Sequence, residues 1–174
     1  MPAYYTYLIS SLPALEFKTA PPFSFEDFLE ICQPHIPQQD FSLLKDCASA
    51  KKYPCAFLQP TLRKWQEFDT TLRNELVKIR CSRKKIAPDR FLRRDGLTAP
   101  LTARAALNAS RNPSLIEAER ALDLERWRVL EGLSFGHYFD LDYLLIYAQK
   151  LLLLQRWQKI NSTDKVQQLE NLLQ

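Results

Sequence analysis

Residues 135–160, FGHYFDLDYLLIYAQKLLLLQRWQKI, form the most apolar stretch of the chain, and the way they are read decides the fold. Asp142, Gln149 and Lys150 interrupt the run, so no window approaches the roughly 18–20 uninterrupted apolar residues that a bilayer crossing needs. Asp142, Gln149 and Arg156 recur every seven residues, which places them on one narrow stripe of an α-helix. The rest of the circumference is apolar, above all Tyr143 to Ala148 and Leu151 to Leu154. Full burial of a large aliphatic side chain contributes roughly 1.5–3 kcal/mol, so such a helix is covered on most sides by its own protein, with a minor share left for a partner. Asp140 stands where it can cap this helix, and Asp142 in the first turn suits its positive end.

Helical signals extend in both directions. Just upstream, RNPSLIEAERALDLERWRVLEGLSFG offers Asn112 as an N-cap, Pro113 at the first turn, and Gly132 or Gly136 to close the far end. PLTARAALNA (100–109) predicts a shorter, alanine-rich helix, preceded by a turn at RRDGL. From Pro60, the apolar residues Leu62, Trp65, Phe68, Leu72, Leu76 and Ile79 recur at steps of three and four. They mark one stripe of a long helix that ends before Pro88 and turns its polar face to water. Ser24 and Asp27 make an approximate capping box ahead of FEDFLEIC, a helix that Pro34 ends, and Asp40 caps a further helix reaching about Ala50. Downstream, Ser162 or Thr163 begins a separate helix over DKVQQLENLLQ. The opening YYTYLISSLPALEF alternates poorly and contains Pro13, so helix and strand both stay open there, while KTAPPFSF is a loop. The pattern is all-α. It describes a single mainly helical domain over residues 1–174, with one long amphipathic helix, a mostly buried C-terminal helix and a short irregular N-terminal segment.

Composition narrows the chemistry. Apolar residues make up 46% of the chain and charged residues 25%, which suits a globular protein with a core. Three glycines stand against eleven prolines, and no glycine-rich phosphate loop or dinucleotide motif is present. Cys32, Cys47, Cys55 and Cys81 are irregularly spaced, with no Cys-x-x-Cys pair, so no metal and no cofactor is expected. The N-terminus carries no basic, apolar, small-residue signal segment, which predicts a cytosolic protein with reduced thiols. His137 lies beside Asp140 and Asp142, but Asp140 is used as a cap and a second histidine is missing from the neighbourhood, so the group falls short of a ligand set. A Cys–His nucleophile pair stays open, since such partners need not be sequence neighbours. The carboxylate pairs Glu117/Glu119 and Asp123/Glu125 are two residues apart and do not face each other. Glu119, Asp123, Arg120, Glu125 and Arg126 read as a solvated charged face. With no catalytic constellation, the protein is expected to be non-enzymatic.

Charge is unevenly spread. Between Lys78 and Arg94 lie eight bases (Lys78, Arg80, Arg83, Lys84, Lys85, Arg90, Arg93 and Arg94) and one acid, Asp89, a net +7 within a total of +4. Everything else is therefore slightly acidic. A basic patch on an acidic body points to an acidic partner, whether a protein face, nucleic acid or an anionic lipid surface. Phe91 is the only aromatic in the window, which supports stacking on single-stranded nucleic acid poorly. These eight residues are the candidate partner-binding site. Tyr138, Phe139 and Tyr143 are secondary candidates that read equally as core aromatics.

Two segments carry a family resemblance. YYTYLISSLPALEF with PPFSFEDFLE, and NPSLIEAERALDLERWRVLEGLSFGHYFDLDYLLIYAQKLLLLQRW, together about half of the chain, resemble an uncharacterised bacterial family encoded in operons for V-type ATPases. The tyrosine-rich start, and an FG followed by an acidic, leucine-rich, tyrosine-bearing helix, are more distantly similar to the C subunit in the central stalk of V/A-type ATPases. The resemblance implies an all-helical, non-catalytic connector between the rotating shaft and the membrane ring. Its expected partners are central-stalk and membrane-ring subunits, its expected place the cytoplasm at the inner face of the cell membrane, and self-association is a further option. The stalk protein has three similar helical repeats, for which this chain is too short, so a single-repeat substitute, a multimer or an accessory assembly factor all fit. A nucleic-acid-binding helical module using residues 78–94 is the alternative.

Overall fold

The computed structural model describes residues 5–48, 59–93 and 100–172, with residues 163–172 described by their backbone alone. Among the described residues seven helices follow in order: α1 Thr6–Ser11, α2 Phe25–Cys32, α3 Gln38–Asp46, α4 Pro60–Lys84, α5 Pro100–Arg111, α6 Leu115–Leu133 and α7 Leu141–Leu172. No strand occurs among the described residues, so the class is all-α. Helices α1, α2, α3 and α7 gather into one compact unit, and α4, α5 and α6 into a second.

The first unit is organised by α7. The Asp140 carboxylate accepts from the Tyr143 amide at 3.1 Å, the cap expected from sequence. Leu144, Leu145, Ala148 and Leu151 are fully buried, and Leu154 and Trp157 nearly so. Among the described residues no helix is long and apolar enough to cross a membrane. Gln149, on the narrow stripe with Asp142 and Arg156, is buried and donates to the Cys47 carbonyl at 3.0 Å. A buried amide is tolerated only when so partnered. The separate helix expected from Ser162 or Thr163 does not begin there, because α7 runs unbroken to Leu172. Ser162 donates its hydroxyl back to the Lys159 carbonyl at 2.9 Å, a bond made inside a helix. With neither proline nor glycine nearby, nothing ends the turn.

Against α7 lie α2 and α3. The capping box at Ser24 is complete: the Asp27 amide donates to Ser24 Oγ at 3.0 Å, and the Ser24 amide to Asp27 Oδ2 at 2.9 Å. These bonds hold the Asp27 carboxyl below its usual range. Phe25, Phe28 and Cys32, at i, i+3 and i+7, form the buried face of α2. The start of α3 differs from expectation. Pro37 is its N-cap and the helix opens at Gln38, one turn before an Asp40 cap would allow. Asp40 is then free to accept the Tyr5 hydroxyl. Tyr5 also donates its amide to the Phe139 carbonyl at 2.6 Å, and with Leu8 and Ile9 buried the ambiguous N-terminal segment resolves into the short helix α1. Tyr147 donates to the Pro13 carbonyl at 2.9 Å and closes the irregular segment that follows.

Burial sets the thiol chemistry of this unit. Desolvation pushes both Cys32 and Cys47 up to about 12 from the ordinary 9.0. A group raised in the folded state contributes stability in full below about pH 9 and loses it as pH climbs towards 12. Unfolding free energy is therefore expected to fall across that alkaline window. At about pH 8, both cysteines should label far more slowly in the native protein than in urea, with sites assigned by peptide mass spectrometry. Equal labelling rates in the two states would refute the burial.

In the second unit, Pro60 occupies the first turn of α4 as expected, and the Gln59 side chain accepts from the Thr61 and Leu62 amides at 2.7 and 3.1 Å. Leu72 packs with Ala106 and Ala109 of α5 and Leu122 of α6, flanked by Phe68, Leu76 and Ile79. The two alanines let the α4 and α5 backbones come close. The polar face of α4 is not simply wet: Thr70, Thr71, Asn74 and Glu75 are buried. Helix α6 is capped by Ser114, whose carbonyl receives the Ala118 amide at 3.0 Å, rather than by Asn112. Asn112 instead accepts the Ser114 amide at 3.0 Å in a local turn.

Candidate docking surface

Helix α4 delivers its basic end to a sharp stop. Lys85 takes a left-handed conformation with φ 56°, and the Ile86 amide returns to the Cys81 carbonyl at 3.1 Å, a cap that glycine more often fills. Residues 86–93 then fold back onto α4. The Asn74 side-chain amide holds them there, donating to the Arg93 carbonyl at 2.8 Å and accepting the Arg93 amide at 2.9 Å. This bidentate clasp replaces backbone partners that an irregular segment would otherwise lack.

The eight expected residues fare differently. Lys78 is half-buried and donates to Glu75 at 2.7 Å, so its charge is answered on its own helix. Arg83 reaches across to the Ser110 carbonyl of α5 and braces the two helices. Arg80, Lys84, Lys85, Arg90 and Arg93 are exposed, with no acidic partner among the described residues. Arg94 lies outside the described residues. Lys84 and Lys85 also sit where the helix dipole favours cations.

Two grooves flank this surface. One, of about 370 Å³, is lined by Arg73, Arg80, Arg93 and Asn74 together with Leu76, Val77 and Phe91. Phe91 is 57% exposed. The other, of about 270 Å³, lies among α4, α5 and α6, where Leu76, Ile79 and Leu115 meet Arg80 and Arg83. Leu76 and Arg80, one turn apart on α4, border both. Arg73 lay outside the basic window and was missed. Its i+7 spacing to Arg80 was the available signal, although it is also paired to Asp69 at 2.8 Å.

The charged face expected on α6 is partly interior. Asp123 is fully buried and Arg126 nearly so, and the guanidinium bridges Asp123 at 2.7 Å and Asp69 of α4 at 2.9 Å. The two carboxylates raise the affinity of Arg126 for its proton against the cost of desolvation. Arg120–Glu117 and Arg128–Glu125 do stay at the surface as i, i+3 pairs.

In the first unit, His137, Asp140 and Asp142 come together: Nδ1 lies 2.6 Å from Asp140 and 3.8 Å from Asp142. The three ligand atoms fall within 4.8 Å of one another, close enough for a cation. The Asp140 oxygen that does not face His137 caps α7. Tyr138 and Phe139, read equally as core residues, are exposed, as is neighbouring Phe135 at 84%. Tyr143 is half-buried beside Tyr147, ring centroids 6.4 Å apart. Cys32 and Cys47 are protonated at neutral pH, which makes them poor nucleophiles.

A family described as "Protein of unknown function (DUF2764)" matches residues 101–173, less than half of the chain. The match runs from α5 through α7 and does not include α4 or the segment clasped to it. No curated protein and no solved structure matches the chain.

Proposed function

We propose that this protein is a non-catalytic component or accessory factor of a V-type ATPase, a connector like the C subunit of the central stalk, which docks through the basic end of α4 and residues 86–93. The carrying observation is the set of exposed cations, Arg80, Lys84, Lys85, Arg90 and Arg93, concentrated on one segment. Such clustered charge speeds encounter and orients an acidic partner. The choice of ATPase rests on the sequence resemblance of the N-terminal and C-terminal segments. On this reading the protein works at the cytoplasmic face of the membrane, held there by central-stalk and membrane-ring subunits.

Capture of ATPase subunits from cells by the tagged protein tests the reading. With Arg83, Lys84, Lys85, Arg90, Arg93 and Arg94 reversed to glutamate, capture is expected to drop about tenfold or more. Helical content and melting temperature, measured alongside, separate lost docking from lost folding. Undiminished capture would remove the basic surface from the proposal, and capture of no ATPase subunit would remove the complex. The same exposed cations also suit a second reading, a nucleic-acid-binding helical module using residues 78–94, for which Phe91 is the single stacking aromatic in the segment. Its mark would be tight RNA retention that collapses across moderate salt.

A further inference from the structure

The two grooves beside α4 share Leu76 and Arg80, and each sets apolar side chains among polar ones: Leu76, Val77 and Phe91 beside Arg73, Arg80 and Arg93 in one, Leu76, Ile79 and Leu115 beside Arg80, Arg83 and a single acid, Glu119, in the other. Charge alone does not call for the apolar side chains in both. A partner that met only the cations would leave Val77, Phe91 and the 79% exposed Leu115 against water. We propose that this face takes an acidic amphipathic protein segment, carboxylates on Arg80 and Arg93 and one apolar side chain in each groove. This inference rests on the docking role assigned above to the basic end of α4, and specifies the chemistry of what docks.

Several features favour a peptide over the other polyanions. Planar guanidinium forks match carboxylates bidentately, and Leu76 and Val77, which line the groove beside the arginines, suit an aliphatic or aromatic side chain. A nucleic acid would find, among the described residues lining the two grooves, a single stacking aromatic, Phe91, and aliphatic groups that its backbone cannot use. The Asn74 clasp keeps the Arg93 backbone seated on α4, so part of the ordering cost is met before binding. Substituting the Arg93 side chain leaves that backbone clasp intact.

The test uses the full chain and a panel of labelled glutamate-rich peptides with two leucines at varied spacing, followed by fluorescence polarisation. At least one spacing is expected to bind about tenfold tighter than its leucine-to-serine and its glutamate-to-glutamine counterparts. Arg80→Glu and Phe91→Ser should each weaken that peptide by about tenfold, while circular dichroism stays unchanged. Equal binding of the serine version would reduce the surface to plain electrostatics and overturn the inference. So would failure of every peptide, or tighter binding of a single-stranded RNA or of phosphatidylserine vesicles in parallel assays. The ATPase reading fails separately: peptides that bind while no ATPase subunit is captured leave this inference standing. ATPase capture that survives both substitutions while the peptides fail leaves only the complex.

Discussion

Arg126→Met is expected to lower unfolding free energy by roughly 3–5 kcal/mol, a large fraction of the stability of an ordinary domain. The guanidinium is the cation that fully buried Asp123 faces at 2.7 Å and that ties α6 to Asp69 of α4. Removing it while keeping the carboxylates leaves negative charge in a region of low polarisability, where desolvation is not repaid. Methionine fills most of the vacated volume, so the loss reports charge rather than a cavity. The double variant Asp123→Leu/Arg126→Met should recover a substantial part of the loss, because an apolar pair replaces a buried ion pair at little net cost. Urea denaturation of the three proteins measures both effects. A single variant within about 1 kcal/mol of the parent would mean that water, not protein, surrounds the pair.

Phe28→Ala is expected to cost roughly 3–5 kcal/mol in the other unit. Phe28 is fully buried, its ring stacked on Tyr147 at 5.2 Å and parallel to Phe23 at 6.3 Å. Those contacts join α2 to α7 and to the irregular segment before α2, so truncation removes apolar area and opens a cavity at the junction of three pieces of chain. Loss of the near-ultraviolet aromatic signal should accompany the drop in melting temperature. Phe135→Ala is the matching control. At 84% exposure its truncation should change stability by about 0.5 kcal/mol or less. Comparable losses from both substitutions would contradict the packing of α2 on α7.

Much of the local structure was legible before any fold was known. The Ser24–Asp27 box, Pro60 at the head of α4 and the Asp140 cap are interactions within one turn, and each formed as read. Two helix starts were misplaced where two local solutions competed. Asn112 and Ser114 both suit an N-cap, and Asp40 and Pro37 both suit a helix start; in each case the alternative partner of the loser, an amide or the Tyr5 hydroxyl, decided the outcome. The candidate site divided the same way. Clustered charge marked the right segment, and the i, i+3 spacing of Glu75 and Lys78 was there to be read, yet nothing in a one-dimensional pattern says that Arg83 reaches the Ser110 carbonyl of α5 while Arg80 stays exposed.

The sequence by itself determined the helical class, the burial of α7 and the place where positive charge gathers. Periodicity, capping chemistry and composition act over a few residues and survive any arrangement of the helices. Only the tertiary structure decided which polar groups are interior and which apolar ones are not. The Asn74 clasp, the Arg126–Asp69 bridge and the Gln149–Cys47 bond join residues 19, 57 and 102 positions apart. In each, packing withdraws at least one partner from water, as it does Asn74, Arg126 and Gln149, and that burial belongs to the assembled neighbours rather than to either residue's place in the chain.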